Sequence, residues 1–126
     1  MAAGRRRTVV LVDDDADFQS IVAGWLRERY DVVALRDGEE MEDELPFLHP
    51  DLVILDVGLP GPDGFRLCAR IRADERFAGT PVLFVTACAD KESYLKHLEV
   101  GGAALLGKPL ERAELLAQVG RLLGEF

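Results

Sequence analysis

Residues 51–64, DLVILDVGLPGPDG, carry a short apolar run directly into a turn. The run at 52–55 has the length of a β-strand, Asp56 closes it, and glycines and prolines follow at once. In open α/β sheets, reactive and binding groups lie at the carboxyl ends of the strands. Asp56 is therefore the first candidate functional residue.

Apolar runs of strand length recur along the chain and alternate with longer stretches of helical spacing. The runs lie at 8–12, 32–35, 52–55, 82–85 and 104–106. Near-continuously apolar strands are typical of a parallel sheet that is covered on both faces. The pattern predicts an α/β fold in which about five parallel strands lie between two layers of helices.

The first predicted helix is the clearest, because five apolar residues fall on one face and are expected to cover the sheet: Phe18, Ile21, Val22, Trp25 and Leu26. Tyr94, Leu95 and Leu98 mark the fourth helix. Pro46 is expected to end or kink the second helix early, because proline lacks the amide hydrogen that continues a helix.

The bulk composition bounds the class of protein. With 126 residues, 48% of them hydrophobic and 30% charged, we expect a single domain over residues 1–126 with its core at about 8–123. No apolar run approaches the ~20 residues of a membrane span, so we expect no membrane insertion and a cytoplasmic location. The net charge of −8 argues against direct nucleic-acid binding.

Polar residues stand at four predicted strand ends: the acidic run that begins at Asp13, then Asp56, Thr86 and Lys108. Asp14 and Asp56 offer the carboxylate oxygens that Mg²⁺ accepts, and a backbone carbonyl just after Asp56 can add another ligand. Asp56 also offers an oxygen nucleophile. Thr86 can donate a hydrogen bond to a phosphoryl oxygen, and Lys108 can place a positive charge beside it.

Each of these residues alone has a structural explanation. The acidic run alone favours a helix N-cap, but a cap needs only one acid. Asp56 alone is equally a turn aspartate, Thr86 a strand-end residue and Lys108 a solvated lysine. Their joint placement at four strand ends favours a functional site. His49 and His97 follow no strand end, and we interpret both as surface histidines.

Four motifs resemble those of the receiver domain of bacterial two-component response regulators. They are Val12-Asp13-Asp14, Asp56 with Pro60 and Gly64 following, Thr86-Ala87, and Lys108-Pro109. The resemblance spans about residues 8–123. It implies a flavodoxin-like, doubly wound (βα)5 fold with strand order 2-1-3-4-5 and helices on both faces of the sheet.

The resemblance also implies a role for each site residue. Asp56 is the expected phosphoacceptor, and the expected ligands of Mg²⁺, with Mn²⁺ as a substitute, are Asp13, Asp14, Asp56 and the backbone carbonyl of Gly58. Thr86 is the expected switch hydroxyl, Lys108 the phosphoryl contact, and Lys108–Pro109 a cis peptide. Leu105 stands where many relatives carry the aromatic half of the switch, so its role there is an open question.

As a function, the resemblance implies a signalling module with self-catalysed phosphorylation and dephosphorylation, and not an enzyme acting on an external substrate. The expected phosphodonor is a sensor histidine kinase or a histidine phosphotransfer protein. Output is expected through the fourth and fifth helices, from a monomer or a phosphorylation-dependent dimer. Two alternatives stay open: a pseudo-receiver that is never phosphorylated, and a phosphatase of the haloacid dehalogenase type with Asp13 as nucleophile.

Overall fold

Strands and helices alternate along the whole described part of the chain. The structure is a computed structural model that describes residues 6–125. Within this range the strands are β1 (Thr8–Val12), β2 (Asp31–Leu35), β3 (Leu52–Asp56), β4 (Val82–Thr86) and β5 (Ala104–Gly107). The helices are α1 (Ala16–Leu26), α2 (Gly38–Leu48), α3 (Gly64–Ala73), α4 (Lys91–Glu99) and α5 (Arg112–Leu122). None of these helices is long and apolar enough to span a membrane.

The strands form one parallel sheet in the order β2-β1-β3-β4-β5. This order confirms the flavodoxin-like fold. The register aligns Val12 with Leu35 and Leu55, and Thr86 with Gly107. The carboxyl ends of the four strands β1, β3, β4 and β5 therefore lie along one edge of the sheet, as the sequence predicts.

Two apolar cores form because successive residues of a strand point to opposite faces of the sheet. Val9 and Leu11 of β1 pack on the side of α1 and α5, where Leu26 and Leu115 are buried. Val10 and Val12 pack on the other side, with the apolar residues of α2 and α3. Helices cover both faces, which explains why the strands are apolar at nearly every position.

The exposed faces of α1 and α4 differ from the sequence expectation. In α1, Val22 and Leu26 are buried but Ile21 is 55% exposed. In α4, the three apolar residues that mark the helix are about half exposed: Tyr94, Leu95 and Leu98. The surface assignment of His97 is wrong, since its side chain is 3% exposed. A hydrogen bond between His97 Nδ1 and the Tyr94 carbonyl oxygen, at 2.5 Å, makes this burial tolerable.

Pro46 does not end α2 where the sequence suggests. The helix continues to Leu48, and His49 then adopts a left-handed conformation with φ of 47°. Proline removes the hydrogen bond that its own nitrogen would donate to the carbonyl four residues back, and its ring crowds that same carbonyl. Because Pro46 lies in the last turn of α2, this loss is confined to the end of the helix.

Gly24 offers a direct test of α1. It lies in the helix interior and is exposed, and a Cβ added there meets no atom within 4 Å. We expect Gly24→Ala to raise the free energy of unfolding by about 0.5–1 kcal/mol, since alanine restricts the unfolded chain and favours the helix. Urea denaturation monitored by circular dichroism measures the change. A destabilised Gly24→Ala variant would contradict the open surroundings of this site.

Tyr30, which lies between α1 and β2, forms a hydrogen bond with the C-terminal part of the described chain. Its hydroxyl donates a 2.7 Å hydrogen bond to Glu125 Oε1, and its side chain is 2% exposed. Burial raises the pKa of Tyr30 to about 12, and the hydrogen bond to the Glu125 carboxylate adds to this shift. The folded state therefore holds this proton at a pH where the unfolded chain releases it.

We expect the stability contributed by protonated Tyr30 to disappear in alkaline solution. The unfolded tyrosine ionises near pH 10 and the folded one near 12, so the folded state binds more protons between these values and stability falls as pH rises through this window. Tyr30→Phe should lack this part of the decline. Thermal unfolding of both proteins from pH 8 to 12 tests it, and parallel pH profiles would contradict the shift.

Candidate functional site

The acidic residues after β1 have three different environments. Asp15 caps α1, accepting hydrogen bonds from the backbone N–H groups of Asp17 and Phe18. Asp13 is fully buried; its Oδ1 accepts from the Asp15 N–H at 2.9 Å and its Oδ2 from Lys108 Nζ at 2.9 Å. Asp14 is exposed. The helix cap thus accounts for one acid and leaves two at the edge of the sheet.

Asp56 ends β3 and is 7% exposed. Its Oδ1 accepts a 3.1 Å hydrogen bond from the backbone N–H of Gly58. Burial raises the pKa of Asp56, and the charges of Asp13 and Asp14 add to this effect, while the Gly58 N–H and Lys108 act in the opposite direction. The ionised carboxylate is therefore costly here, and a nearby cation would stabilise it.

The carboxylates of Asp13, Asp14 and Asp56 come together as the sequence predicts. Their ligand oxygen atoms all lie within 4.8 Å of one another. Hard divalent cations prefer oxygen ligands, and a cation between like charges removes their repulsion. The donor set and the raised pKa of Asp56 are compatible with a metal ion at this position.

Lys108 lies between the acidic strand ends. Its Nζ is 2.9 Å from Asp13 Oδ2, 3.7 Å from Asp56 Oδ1 and 4.2 Å from the centroid of the Phe18 ring. The ammonium group therefore pairs more closely with Asp13 than with Asp56. The Lys108–Pro109 peptide is cis, which confirms the expectation.

Thr86 ends β4 and is 5% exposed. Its hydroxyl donates to the Cys88 carbonyl at 3.3 Å and accepts from the Cys88 N–H at 3.1 Å. The Thr86 hydroxyl is thus hydrogen-bonded to the backbone of the loop that follows β4. On the neighbouring strand, Leu105 is partly buried and packs against the core on the α2 and α3 side. The switch roles of Thr86 and Leu105 stay predictions.

At Gly64 the first turn of α3 lies very close to the backbone at the end of β3. A Cβ at this position would lie 2.4 Å from the Asp56 carbonyl oxygen. The Gly64 N–H donates to the Val57 carbonyl at 3.1 Å, which closes the turn between β3 and α3. Gly58 contacts Asp56 through its N–H, while the metal-binding role of the Gly58 carbonyl stays a prediction.

Two residues of α1 belong to the site although the sequence pattern did not indicate it. Phe18 fits the apolar face of α1, but its ring lies beneath Lys108 Nζ. Gln19 donates from Nε2 to the carbonyl oxygens of Asp13 and Leu35, at 2.7 and 2.5 Å. The sequence did show a polar residue, Gln19, one helical turn after the Asp15 cap. Its contacts, however, become visible only when α1 is packed against the strand ends.

The fold and the site together define a flavodoxin-like α/β domain with an acidic, lysine-paired site at the carboxyl edge of its sheet. The chain belongs to the response regulator receiver domain family, whose family model matches residues 9–120. Members of this family are two-component signalling modules.

Individual relatives support the same assignment. The transcriptional regulatory protein GltR of Pseudomonas aeruginosa is 37% identical over 118 residues, which cover 93% of this chain and 49% of that protein. The DNA-binding response regulator MtrA of Mycobacterium tuberculosis is 36% identical over 115 residues, 90% of this chain and 49% of that protein. The structure of the chemotaxis response regulator CheY4 of Vibrio cholerae superposes with a TM-score of 0.88 at 27% identity, covering 94% of this chain and 99% of that chain.

The expectation of no direct nucleic-acid partner is wrong for this group of proteins. MtrA is named as DNA-binding, and this chain spans about half the length of MtrA and GltR. The net charge of −8 describes only the surface of these 126 residues. It says nothing about the remaining half of such relatives, and an acidic receiver is compatible with a DNA-binding protein of greater length.

Proposed function

We propose that this receiver domain accepts a phosphoryl group on Asp56 in a Mg²⁺-dependent reaction and changes conformation in response. One observation carries the proposal: Asp56 shares the sheet edge with two further carboxylates within 4.8 Å and with the Lys108 ammonium at 3.7 Å. This set neutralises and positions charge, which is the main task of a protein in phosphoryl transfer.

The proposed donor is the phosphohistidine of a sensor kinase or phosphotransfer protein. An Asp56 carboxylate oxygen forms the new bond to phosphorus as the bond from phosphorus to the donor's imidazole nitrogen breaks, and the nitrogen keeps the electron pair. Asp13, Asp14, Asp56 and the Gly58 carbonyl would hold Mg²⁺, which neutralises charge on the phosphoryl oxygens. Lys108 supplies a further positive charge.

The proposed switch begins at the β4 end. A phosphoryl group on Asp56 offers new acceptor oxygens near the sheet edge, and Thr86 can exchange its bond to the Cys88 carbonyl for one of them. Lys108 can likewise move from Asp13 toward the new negative charge. Water later cleaves the acyl phosphate, which returns the domain to its first state. In longer relatives of the MtrA kind, the proposed output is a DNA-binding function.

The environment of Asp13 argues against the phosphatase alternative. Both of its carboxylate oxygens accept hydrogen bonds and its side chain is fully buried, so neither oxygen is placed to attack a substrate. Asp56 is the carboxylate that the geometry favours as nucleophile.

Incubation with acetyl phosphate and Mg²⁺, followed by intact-mass spectrometry, tests the proposal. We expect a mass gain of one phosphoryl group, which a chelator prevents and alkaline treatment removes, since acyl phosphates are hydrolysed by base. A chain that gained no mass under these conditions would be a pseudo-receiver. Continuous release of phosphate from a phosphate monoester, with an adduct on Asp13, would instead support the phosphatase.

A further inference from the structure

We propose that Gln19 is a positioning residue for the metal site, a role that rests on the Mg²⁺-dependent function proposed above. Its side-chain amide nitrogen donates to two backbone carbonyls, those of Asp13 at 2.7 Å and Leu35 at 2.5 Å. One side chain of α1 therefore joins the carboxyl ends of β1 and β2, at the point where the acidic residues leave the sheet.

Gln19 supplies one of the hydrogen bonds that hold Asp13 in place. The Asp13 N–H donates to the Leu35 carbonyl at 3.0 Å, and its two carboxylate oxygens accept from the Asp15 N–H and Lys108 Nζ. The Asp13 carbonyl oxygen accepts from Gln19. All four polar positions of this buried residue are thus bonded, and Gln19 supplies the bond to the carbonyl.

This fixation also determines where Asp14 stands. Asp14 follows Asp13 directly and its side chain is exposed, so its position depends on the backbone on either side. On its other side, Asp15 is fixed by α1, because its carbonyl oxygen accepts the backbone N–H of Gln19 at 3.0 Å. The backbone and the side chain of Gln19 therefore hold the two neighbours of Asp14.

The side-chain hydrogen bonds of Gln19 go to backbone carbonyl oxygens and not to the carboxylates of the metal site. Loss of Gln19 should therefore change the geometry of the ligand set without changing the charge of the site. Residues that orient metal ligands act in this way, and their mutation weakens metal affinity while the reacting groups stay in place.

The test replaces Gln19 by methionine, which has a similar length and helix propensity but no amide donor. Isothermal titration calorimetry measures the Mg²⁺ dissociation constant, and phosphorylation by acetyl phosphate is measured across Mg²⁺ concentrations. For Gln19→Met we expect the Mg²⁺ dissociation constant to rise about tenfold. Loss of a group that orients metal ligands without binding the metal has an effect of this size. At saturating Mg²⁺ the maximal phosphorylation rate should stay within about twofold of wild type, the pattern of lost binding with intact chemistry.

Gln118→Met is the matched control. Gln118 lies on α5, where its Oε1 accepts from Arg121, so the same chemical change there should leave the Mg²⁺ dissociation constant unchanged. Circular dichroism and the melting temperature report on folding for each variant. If Gln19→Met does not fold, Gln19→Ala, with a smaller side chain and no donor, provides the same comparison.

The outcomes separate this proposal from the function on which it rests. A wild-type chain that binds Mg²⁺, together with a folded Gln19→Met variant of equal affinity, would overturn the role of Gln19 and leave the proposed function intact. A lower melting temperature with unchanged Mg²⁺ affinity would likewise show a structural role only. A wild-type chain that bound no Mg²⁺ would overturn both.

Discussion

Asp56→Asn is expected to abolish the phosphoryl mass gain and, in metal-free buffer at neutral pH, to make the protein more stable. The first effect follows because an amide oxygen does not form the acyl phosphate. The second follows because burial and the neighbouring acids raise the pKa of Asp56, so the folded state carries a costly charge. Removing that charge should therefore raise the free energy of unfolding, because asparagine carries no buried charge beside Asp13 and Asp14 and Lys108 keeps its closer partner Asp13.

The pH dependence of this gain has a definite sign. The unfolded carboxyl ionises near pH 3.8, and the folded one at a higher pH. Between the two pKa values the folded state binds more protons than the unfolded chain, so this group lowers the stability of wild type as pH rises. Asp56→Asn lacks the titration. The difference in stability between the variant and wild type should therefore grow as pH rises above 3.8, and then become constant.

Mg²⁺ should reverse the order of stability. At ~100 times its dissociation constant, a ligand that binds only the folded state adds about 2.7 kcal/mol. Wild type should gain this amount, and Asp56→Asn less, because it has lost one of three carboxylates. Chemical denaturation with chelator or with excess Mg²⁺ measures both effects.

Asp63→Asn is the control for the loss of one negative charge. Asp63 caps α3 by accepting from the Arg66 N–H, and asparagine is an equally good cap. We expect this variant to keep the wild-type response to Mg²⁺ and to acetyl phosphate. A phosphorylated Asp56→Asn protein would exclude Asp56 as the acceptor. Unchanged metal-free stability at neutral pH would contradict the cost assigned to its charge.

The sheet and the acidic site could be predicted from the sequence, because both depend on the order of neighbouring residues along the chain. The apolar runs ending in Val12, Leu55 and Val85 mark buried parallel strands, and the residues after them must meet at one edge. Topology followed from the resemblance, because periodicity alone does not determine which strands are neighbours. The approach of three carboxylates was therefore predictable without knowledge of any distance.

What the sequence did not predict depends on contacts between distant elements. His97 looked like a surface residue, but the position of α4 over Phe84 buries its ring against that side chain, at 6.3 Å between ring centroids. The expected contact of Lys108 with a phosphoryl group stays a prediction, but the pairing of its ammonium with Asp13 at 2.9 Å was not indicated by the sequence. Both facts follow from how a helix or loop packs on the sheet, and no spacing in the chain encodes them.

The close contact at Gly64 leads to the second large expected effect, in which Gly64→Ala destabilises the fold by about 3 kcal/mol, as overpacking of a rigid site does. The added Cβ would lie 2.4 Å from the Asp56 carbonyl oxygen and 3.0 Å from the Val57 Cα. These are backbone atoms, held by strand pairing of Asp56 with Val85 and by the Gly64 N–H bond to Val57. Relief thus requires α3 to move away from β3.

The same displacement should also reach the site, because the backbone that moves carries the Asp56 carboxylate. We therefore expect folded Gly64→Ala to bind Mg²⁺ more weakly, as well as to unfold at lower urea concentration. Gly79→Ala is the matched control, since Gly79 is exposed and a Cβ there meets nothing within 4 Å; its change should stay within about 0.5 kcal/mol. If Gly64→Ala and Gly79→Ala had equal effects, the contact of Gly64 with the Asp56 backbone would not limit this turn. A large loss in Gly64→Ala alone would show that the turn after β3 requires glycine for lack of space, because its φ lies outside the left-handed region.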